Sequence, residues 1–161
     1  LEKNIPYLGI CFGFQLAAIA FGRKMCSLEN ANSTEIIADT KNPIIDLLPE
    51  QKDETDMGGS LRLGANEIKI SQNSLAHKIY NSDKISKRHR HRYEFNTKYR
   101  DEFLQNGMIF SGESDNGKRM EILEIPTHKF FLGVQFHPEF NSRPGFPEDV
   151  FKTFVTAASQ N

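Results

Sequence analysis

The feature that most constrains this chain is a cysteine between an apolar run and an apolar, helix-like segment. Residues 5–10 are typical of a buried strand, and residues 13–22 favour a buried helix that ends at Gly22. A sharp strand-to-helix turn at Gly9-Ile-Cys11-Phe-Gly13 would strain the central residue, and side chains on its flanks would clash. The pattern therefore predicts Cys11 as a nucleophile whose thiolate is favoured by the helix N-terminus, with the Phe12 N–H facing an oxyanion. The alternative is a buried structural cysteine.

The remaining chain mixes period-two and helix-like segments. Strands are predicted at 61–64, 67–71, 86–95, 108–111, 119–125 and 130–136. Helices are predicted at 74–82, 98–106 and 148–159, with Ser74 as an N-cap and Gly107 as a stop. Residues 39–59 are expected to form a surface loop with one short helical turn near residues 44–48. This mixture predicts an α/β or α+β domain.

A second motif, Gly-Val-Gln-Phe-His137-Pro-Glu139-Phe, ends the predicted strand at 130–136. In an extended segment, His137 and Glu139 would approach the same surface, with Pro138 fixing the backbone between them. A carboxylate beside an imidazole holds the ring tautomer, so the other ring nitrogen can take a proton from a thiol. A buried core histidine is the alternative for His137 alone. Together with Cys11, the pattern predicts a Cys-His-Glu triad.

Composition excludes several other classes of function. The 161 residues are enough for one domain, and the net charge of −1 argues against a protein that mainly coats nucleic acid or membranes. Two cysteines, Cys11 and Cys26, are too few for a disulfide framework, which favours a reduced, intracellular location. The five histidines include a His-x-His pair but have no recognised metal-ligand spacing, so no metal site is expected.

The basic segment Lys87-Arg-His-Arg-His-Arg-Tyr93 is a strand candidate rather than a nucleic-acid patch. Its period-two pattern places Arg88, Arg90 and Arg92 on one face and the histidines with Tyr93 on the other. The simplest interpretation is a strand whose arginines face water.

The two motifs Gly-Ile-Cys-Phe-Gly-Phe-Gln and Gln-Phe-His-Pro-Glu-Phe resemble class I glutamine amidotransferases. Segments 29–35, 57–64, 88–94 and 137–144 are similar to the glutaminase domains of CTP synthases. The resemblance covers essentially the whole chain. It implies an α/β, flavodoxin-like fold with a mostly parallel central sheet flanked by helices. It also implies that the N-terminal strands of that fold, with a glycine-rich turn that supplies another oxyanion N–H, are missing from this chain.

The resemblance implies a role for each motif residue. Cys11 would attack the side-chain amide of L-glutamine, His137 would be the base and then the acid, and Glu139 would orient His137. Glu35 would pair with the substrate ammonium, Arg92 would hold its carboxylate, and Gln15 would also contact the substrate. The implied glutamine-binding residues are Phe12, Gly13, Gln15, Glu35 and Arg92.

The resemblance also implies partners outside residues 1–161. Released ammonia would pass to the protein's own N-terminal amidoligase domain, where ATP-activated UTP would accept it to give CTP. ATP, Mg²⁺ and UTP are expected on that domain and no cofactor in this chain, which would be the C-terminal part of one glutaminase domain. A cytoplasmic homotetramer without nucleic-acid or membrane partners is expected. The alternatives are the glutaminase of another amidotransferase, such as a GMP synthetase, and a degenerate non-catalytic module.

Overall fold

The computed structural model describes residues 1–52 and 61–160. The helices in these ranges are Phe12–Lys24 (α1), Pro49–Lys52 (α2), Leu75–Tyr80 (α3), Arg100–Gln105 (α4) and Asp149–Ser159 (α5). The strands are Tyr7–Ile10 (β1), Ala31–Ser33 (β2), Asn42–Asp46 (β3), Arg62–Ile70 (β4), Lys84–His91 (β5), Glu94–Phe95 (β6), Ile109–Ser114 (β7), Arg119–Glu124 (β8) and Phe131–Val134 (β9). Short 3-10 turns lie at Thr97–Tyr99, Asp115–Gly117 and Pro138–Asn141.

Six strands form the main sheet in the order β1-β9-β8-β7-β4-β5. Only the β1–β9 pair is parallel among these described strands, and the other neighbours run antiparallel. The expected mostly parallel sheet is therefore wrong for this part of the fold. Short connections between β7, β8 and β9 force adjacent antiparallel pairing, whereas β1 and β9 come from opposite ends of the chain and can pair in parallel.

Helices cover both faces of this sheet, which confirms the predicted α/β class. The core on one face is built around α1 and α4, where Phe14, Phe21 and Phe103 are almost completely buried. The core on the other face joins the sheet to α3 and α5 through buried residues such as Leu132 and Val150. None of the described helices has the length and apolar character needed to cross a bilayer.

Most predicted helices and strands are confirmed within a few residues, and Ser74 caps α3 by accepting from the His77 N–H at 3.0 Å. The helical turn predicted near residues 44–48 is wrong, because Ile44 and Ile45 are fully buried in β3, between β2 and β6. The predicted stop at Gly22 is also wrong, since α1 continues to Lys24. The Met57-Gly-Gly stretch lies outside the described residues.

Gly22 has a packing role instead of a capping role. A Cβ at this position would lie 3.3 Å from the Phe103 ring and 3.5 Å from an Ile44 side-chain carbon. The missing side chain therefore lets α1 approach α4 and β3 closely.

Candidate active site

Cys11 occupies the predicted strained turn between β1 and α1. Its backbone has φ 49° and ψ −101°, a conformation that is costly for a residue with a side chain. A Cβ at Gly9 would lie 2.7 Å from the backbone carbon and oxygen of Gly13, so Gly9 is sterically required. A Cβ at Gly13 would meet only the Tyr7 hydroxyl at 3.7 Å, so the predicted clash at that flank is wrong. One glycine, not two, makes the turn possible.

The curled sheet brings Cys11 and His137 to one end of the molecule. The Cys11 N–H donates to the Val134 carbonyl at 2.8 Å, which continues the β1–β9 pairing. Although β5 is the opposite edge strand, its Arg90 carbonyl lies 4.0 Å from the Cys11 sulfur. Its Arg88 carbonyl accepts from the His137 N–H at 2.9 Å. The two residues thus contact β5 at positions two residues apart, on the same side of that strand.

His137 and Glu139 form a close pair beside this turn. The His137 Nδ1 lies 2.6 Å from the Glu139 Oε1. An ionised carboxylate can only accept, so Nδ1 carries a proton, and in the neutral ring Nε2 presents its lone pair. Nε2 is buried, and no atom of the described residues bonds to it. The pair is presented by a 3-10 turn, not by the extended segment that the sequence suggested.

The Cys11 sulfur is half-buried, and its surroundings disfavour the thiolate. Burial raises the pKa of the Cys11 thiol, which outweighs the lowering by the Phe12 N–H, and carboxylates led by Glu139 raise it further. The predicted preference for a resting thiolate is therefore wrong. A thiol in this position needs a base to take its proton before it can attack.

A cleft of about 340 Å³ opens beside the sulfur. It contains five of the predicted site residues, and its full lining is Cys11, Phe12, Gln15, Glu35, Leu61, Arg90, His91, Arg92 and Tyr93. His137, Glu139 and Gly13 do not line it, and the Gly13 carbonyl accepts from the Tyr7 hydroxyl at 2.8 Å. The cleft presents an acid, Glu35, and a base, Arg92, which suits a zwitterionic amino acid.

Internal hydrogen bonds hold the wall of this cleft. The buried Gln15 side chain donates from Nε2 to the Tyr93 carbonyl at 2.9 Å and to the Gln135 Oε1 at 3.4 Å. Gln51 Nε2 donates to the Arg92 carbonyl at 2.9 Å. The segment that carries Arg92 is therefore fixed at two consecutive carbonyls.

Behind this wall lies a buried ion cluster that the sequence analysis missed. The Arg62 guanidinium lies 2.6 Å from Glu121, and Glu94 lies 3.0 Å from His91 and 3.1 Å from Arg119. Both carboxylates are fully buried. Burial raises the pKa of Glu121, whereas for Glu94 the neighbouring His91, Arg62 and Arg119 overcome burial and lower the pKa. Arg62, Glu94 and Glu121 come from three strands, so only the folded chain reveals the cluster.

Exposed and buried residues alternate along the basic strand, as the sequence predicts. Arg88 and Arg90 are exposed, whereas His89 and His91 are buried. Burial, reinforced by Arg62 and other cationic neighbours, lowers the pKa of His89 to about 2. No group of three or more potential metal ligands occurs among the described residues.

The model of the family "Glutamine amidotransferase class-I" matches residues 1–157, so this chain belongs to that family. Among curated proteins, the chain is 54% identical to a CTP synthase of Staphylococcus haemolyticus over 157 residues, which is 98% of this chain and 29% of that protein. It is 53% identical to the CTP synthase of Archaeoglobus fulgidus, covering 98% of this chain and 30% of the relative.

A solved structure shows the same similarity at the level of the fold. The glutaminase domain of Trypanosoma brucei CTPS with bound acivicin superposes with a TM-score of 0.92 at 36% identity, covering 99% of this chain and 62% of that one. The predicted resemblance to CTP synthase glutaminase domains is confirmed. The chain spans about 29% of the length of the first curated relatives.

Proposed function

We propose that this chain is the glutamine-hydrolysing part of a CTP synthase, with Cys11, His137 and Glu139 as its triad. The observation that carries the proposal is that a strained cysteine and a carboxylate-paired imidazole follow the parallel neighbours β1 and β9 and contact β5 carbonyls two residues apart. A cleft with an acid and a base opens beside the sulfur. The family match over 1–157 and the names of the relatives support the same activity.

The cleft suggests how L-glutamine would be oriented. Glu35 would bind the α-ammonium group and Arg92 the α-carboxylate, so that the side-chain amide extends toward the sulfur. Phe12 and Gly13 begin α1, and the Phe12 N–H would face the carbonyl oxygen of the amide. Gln15 would contact the substrate from the same wall.

Hydrolysis would proceed in two halves. The thiol proton passes to His137 Nε2 while the sulfur attacks the amide carbon, and the resulting oxyanion faces the Phe12 N–H. His137 then gives the proton to the nitrogen, the C–N bond breaks, and ammonia leaves a γ-glutamyl thioester. Water, deprotonated by His137, cleaves that thioester to glutamate and restores the thiol. Glu139 holds the imidazole tautomer throughout.

The fate of the ammonia extends the proposal beyond this chain. An amidoligase domain of the same protein would bind ATP, Mg²⁺ and UTP and convert UTP to CTP. On this account residues 1–161 are the C-terminal part of one glutaminase domain in a cytoplasmic homotetramer. The relatives, which are about three times as long as this chain, leave room for such a domain.

The test compares Cys11→Ala with Cys26→Ala in the full-length protein. Loss of the nucleophile should reduce glutamate release from glutamine by about 10³-fold or more. CTP formation with ammonia should persist, because ammonia bypasses the thiol. Cys26 is buried in the core, where burial raises the pKa of its thiol to about 11, so Cys26→Ala should retain hydrolysis. Unchanged hydrolysis in Cys11→Ala, or no CTP from UTP with either nitrogen source, would contradict the proposal.

A further inference from the structure

Gln135 is a buried amide that contacts the sulfur of Cys11. It directly follows β9, and its backbone N–H donates to the Glu121 carbonyl at 2.9 Å. Its side chain is fully buried, and its Nε2 lies 3.8 Å from the Cys11 Sγ. Because the Cys11 N–H bonds to the Val134 carbonyl, the strand pairing itself places Gln135 beside the nucleophile.

A chain of hydrogen bonds fixes which end of the Gln135 amide faces the sulfur. The Tyr93 carbonyl can only accept, so Gln15 must turn its NH₂ group toward it. The same Gln15 nitrogen lies 3.4 Å from the oxygen of the Gln135 amide, which must therefore be the acceptor there. The Gln135 NH₂ group is left to face Sγ. The Tyr93 carbonyl therefore determines the orientation of the Gln135 amide, through the Gln15 side chain that lies between them.

We propose that Gln135 is a positioning residue for the nucleophile, donating an N–H to the Cys11 sulfur and stabilising it as a thiolate when the proton leaves. For its part in hydrolysis this inference rests on the function proposed above.

Besides the Phe12 N–H, the sulfur has two polar neighbours that respond oppositely to its ionisation. The Arg90 carbonyl, at 4.0 Å, can accept from the thiol but repels a thiolate. The Gln135 N–H is a weak donor to a thiol and a stronger donor to an anion. Since burial and nearby carboxylates disfavour the charged form, a donor at this position offsets part of that penalty.

The experiment measures the pH dependence of Cys11 alkylation by iodoacetamide in the full-length protein, with the adduct located by peptide mass spectrometry. Gln135→Met keeps the length of the side chain but removes the donor. It should raise the pH midpoint of Cys11 alkylation by about one unit, which corresponds to a tenfold loss of alkylation rate below the midpoint. Gln135→Glu should raise the midpoint further, because it places a carboxylate beside the sulfur. The kcat for glutamine should fall about tenfold in Gln135→Met with KM little changed.

Gln51→Met is the matched control. It removes another largely buried amide near the cleft, one that bonds to the Arg92 carbonyl and not to the sulfur. Its alkylation midpoint should equal that of the unmodified protein. A midpoint shift as large in Gln51→Met as in Gln135→Met would overturn the inference, since it would show a general effect of packing.

An unchanged midpoint in folded Gln135→Met would also overturn the inference. If that variant does not fold, Gln135→Asn retracts the same amide by one methylene and should raise the midpoint in the same direction. No shift in folded Gln135→Asn would be equally contradictory. Failure of the proposed function would appear differently, as absence of glutamine hydrolysis in the unmodified protein, while the alkylation midpoint still reports on Gln135.

Discussion

His137 and His89 both lie near a carboxylate, yet their surroundings differ. His137 bonds to Glu139 at 2.6 Å and keeps 19% of its side chain exposed, beside the strained cysteine. His89 lies 3.7 Å from Glu121 in the fully buried cluster, and burial lowers its pKa to about 2. Under the proposed function, the His137–Glu139 pair would serve catalysis because it lies near the Cys11 sulfur, whose pKa Glu139 raises. In the interior the same chemistry serves the fold.

The largest effect that we expect to separate the two histidines is a loss of glutamine hydrolysis when His137 is replaced. His137→Gln removes the proposed base without removing a core side chain, so glutamine hydrolysis should fall by about 10²–10⁴-fold. The free energy of unfolding should change by less than about 1 kcal/mol, because this side chain is partly exposed. Glutamate release and urea unfolding of the same preparation check both statements. A variant that keeps full hydrolysis would break the comparison.

A substitution in the buried ion cluster should mainly lower the free energy of unfolding. Arg62→Met leaves Glu94 and Glu121 buried without the guanidinium between them, which should reduce the free energy of unfolding by about 3–5 kcal/mol. The matched control, Lys84→Met, breaks the exposed pair between Lys84 on β5 and Glu67 on β4, for which at most about 1 kcal/mol is expected. Denaturant unfolding of both variants measures the difference. Equal losses would show that burial does not distinguish these pairs.

The strain of the turn at Cys11 can be tested by replacing each of the two glycines that flank it. Gly9→Ala forces a Cβ to within 2.7 Å of the Gly13 backbone, so it should destabilise the fold by about 1–3 kcal/mol and move the sulfur. Gly13→Ala meets only the Tyr7 hydroxyl at 3.7 Å, within helix α1, so its stability should be unchanged or slightly higher. Thermal unfolding and glutamate release check the pair. A larger loss in Gly13→Ala would contradict this assignment of the strain.

The smallest effect concerns acid stability. The pKa of His89 is about 2 in the folded protein and near 6.5 in an unfolded chain, so only the unfolded chain takes up a proton between these values. The contribution of His89 to stability is therefore complete above pH 6.5 and is lost as the pH falls toward 2, by about 1.4 kcal/mol per pH unit. His89→Phe should flatten the pH dependence of the free energy of unfolding by about this amount. An unchanged slope between pH 6 and 5 would contradict a neutral, buried His89.

Local signals explain what the sequence could predict. Cys11 and the His137–Glu139 pair were found because each motif lies within a few residues of the strand end that presents it. The helix at 74–82 was found because Ser74 caps its own helix. In each case the neighbours in sequence are also the neighbours in space, so a single chain carries enough information.

Long-range contacts explain what the sequence could not predict. Ile44 and Ile45 are compatible with a helical turn until β2 and β6 pair on either side of them. Gln135 contacts Cys11 only through the pairing of strands from opposite ends of the chain. Glu121 looks like one charge of an alternating strand, and only the fold places it opposite Arg62. Burial overrides local pattern at each of these positions.

The most direct test of the central claim is covalent labelling of the full-length protein with a glutamine analogue that carries an electrophile at its γ-position. We expect one adduct, on the Cys11 sulfur, that forms more slowly when glutamine competes, and none on Cys26. Peptide mass spectrometry would locate it. An unlabelled Cys11, or labelling that glutamine does not slow, would contradict the assignment of this cysteine as the glutamine-cleaving nucleophile.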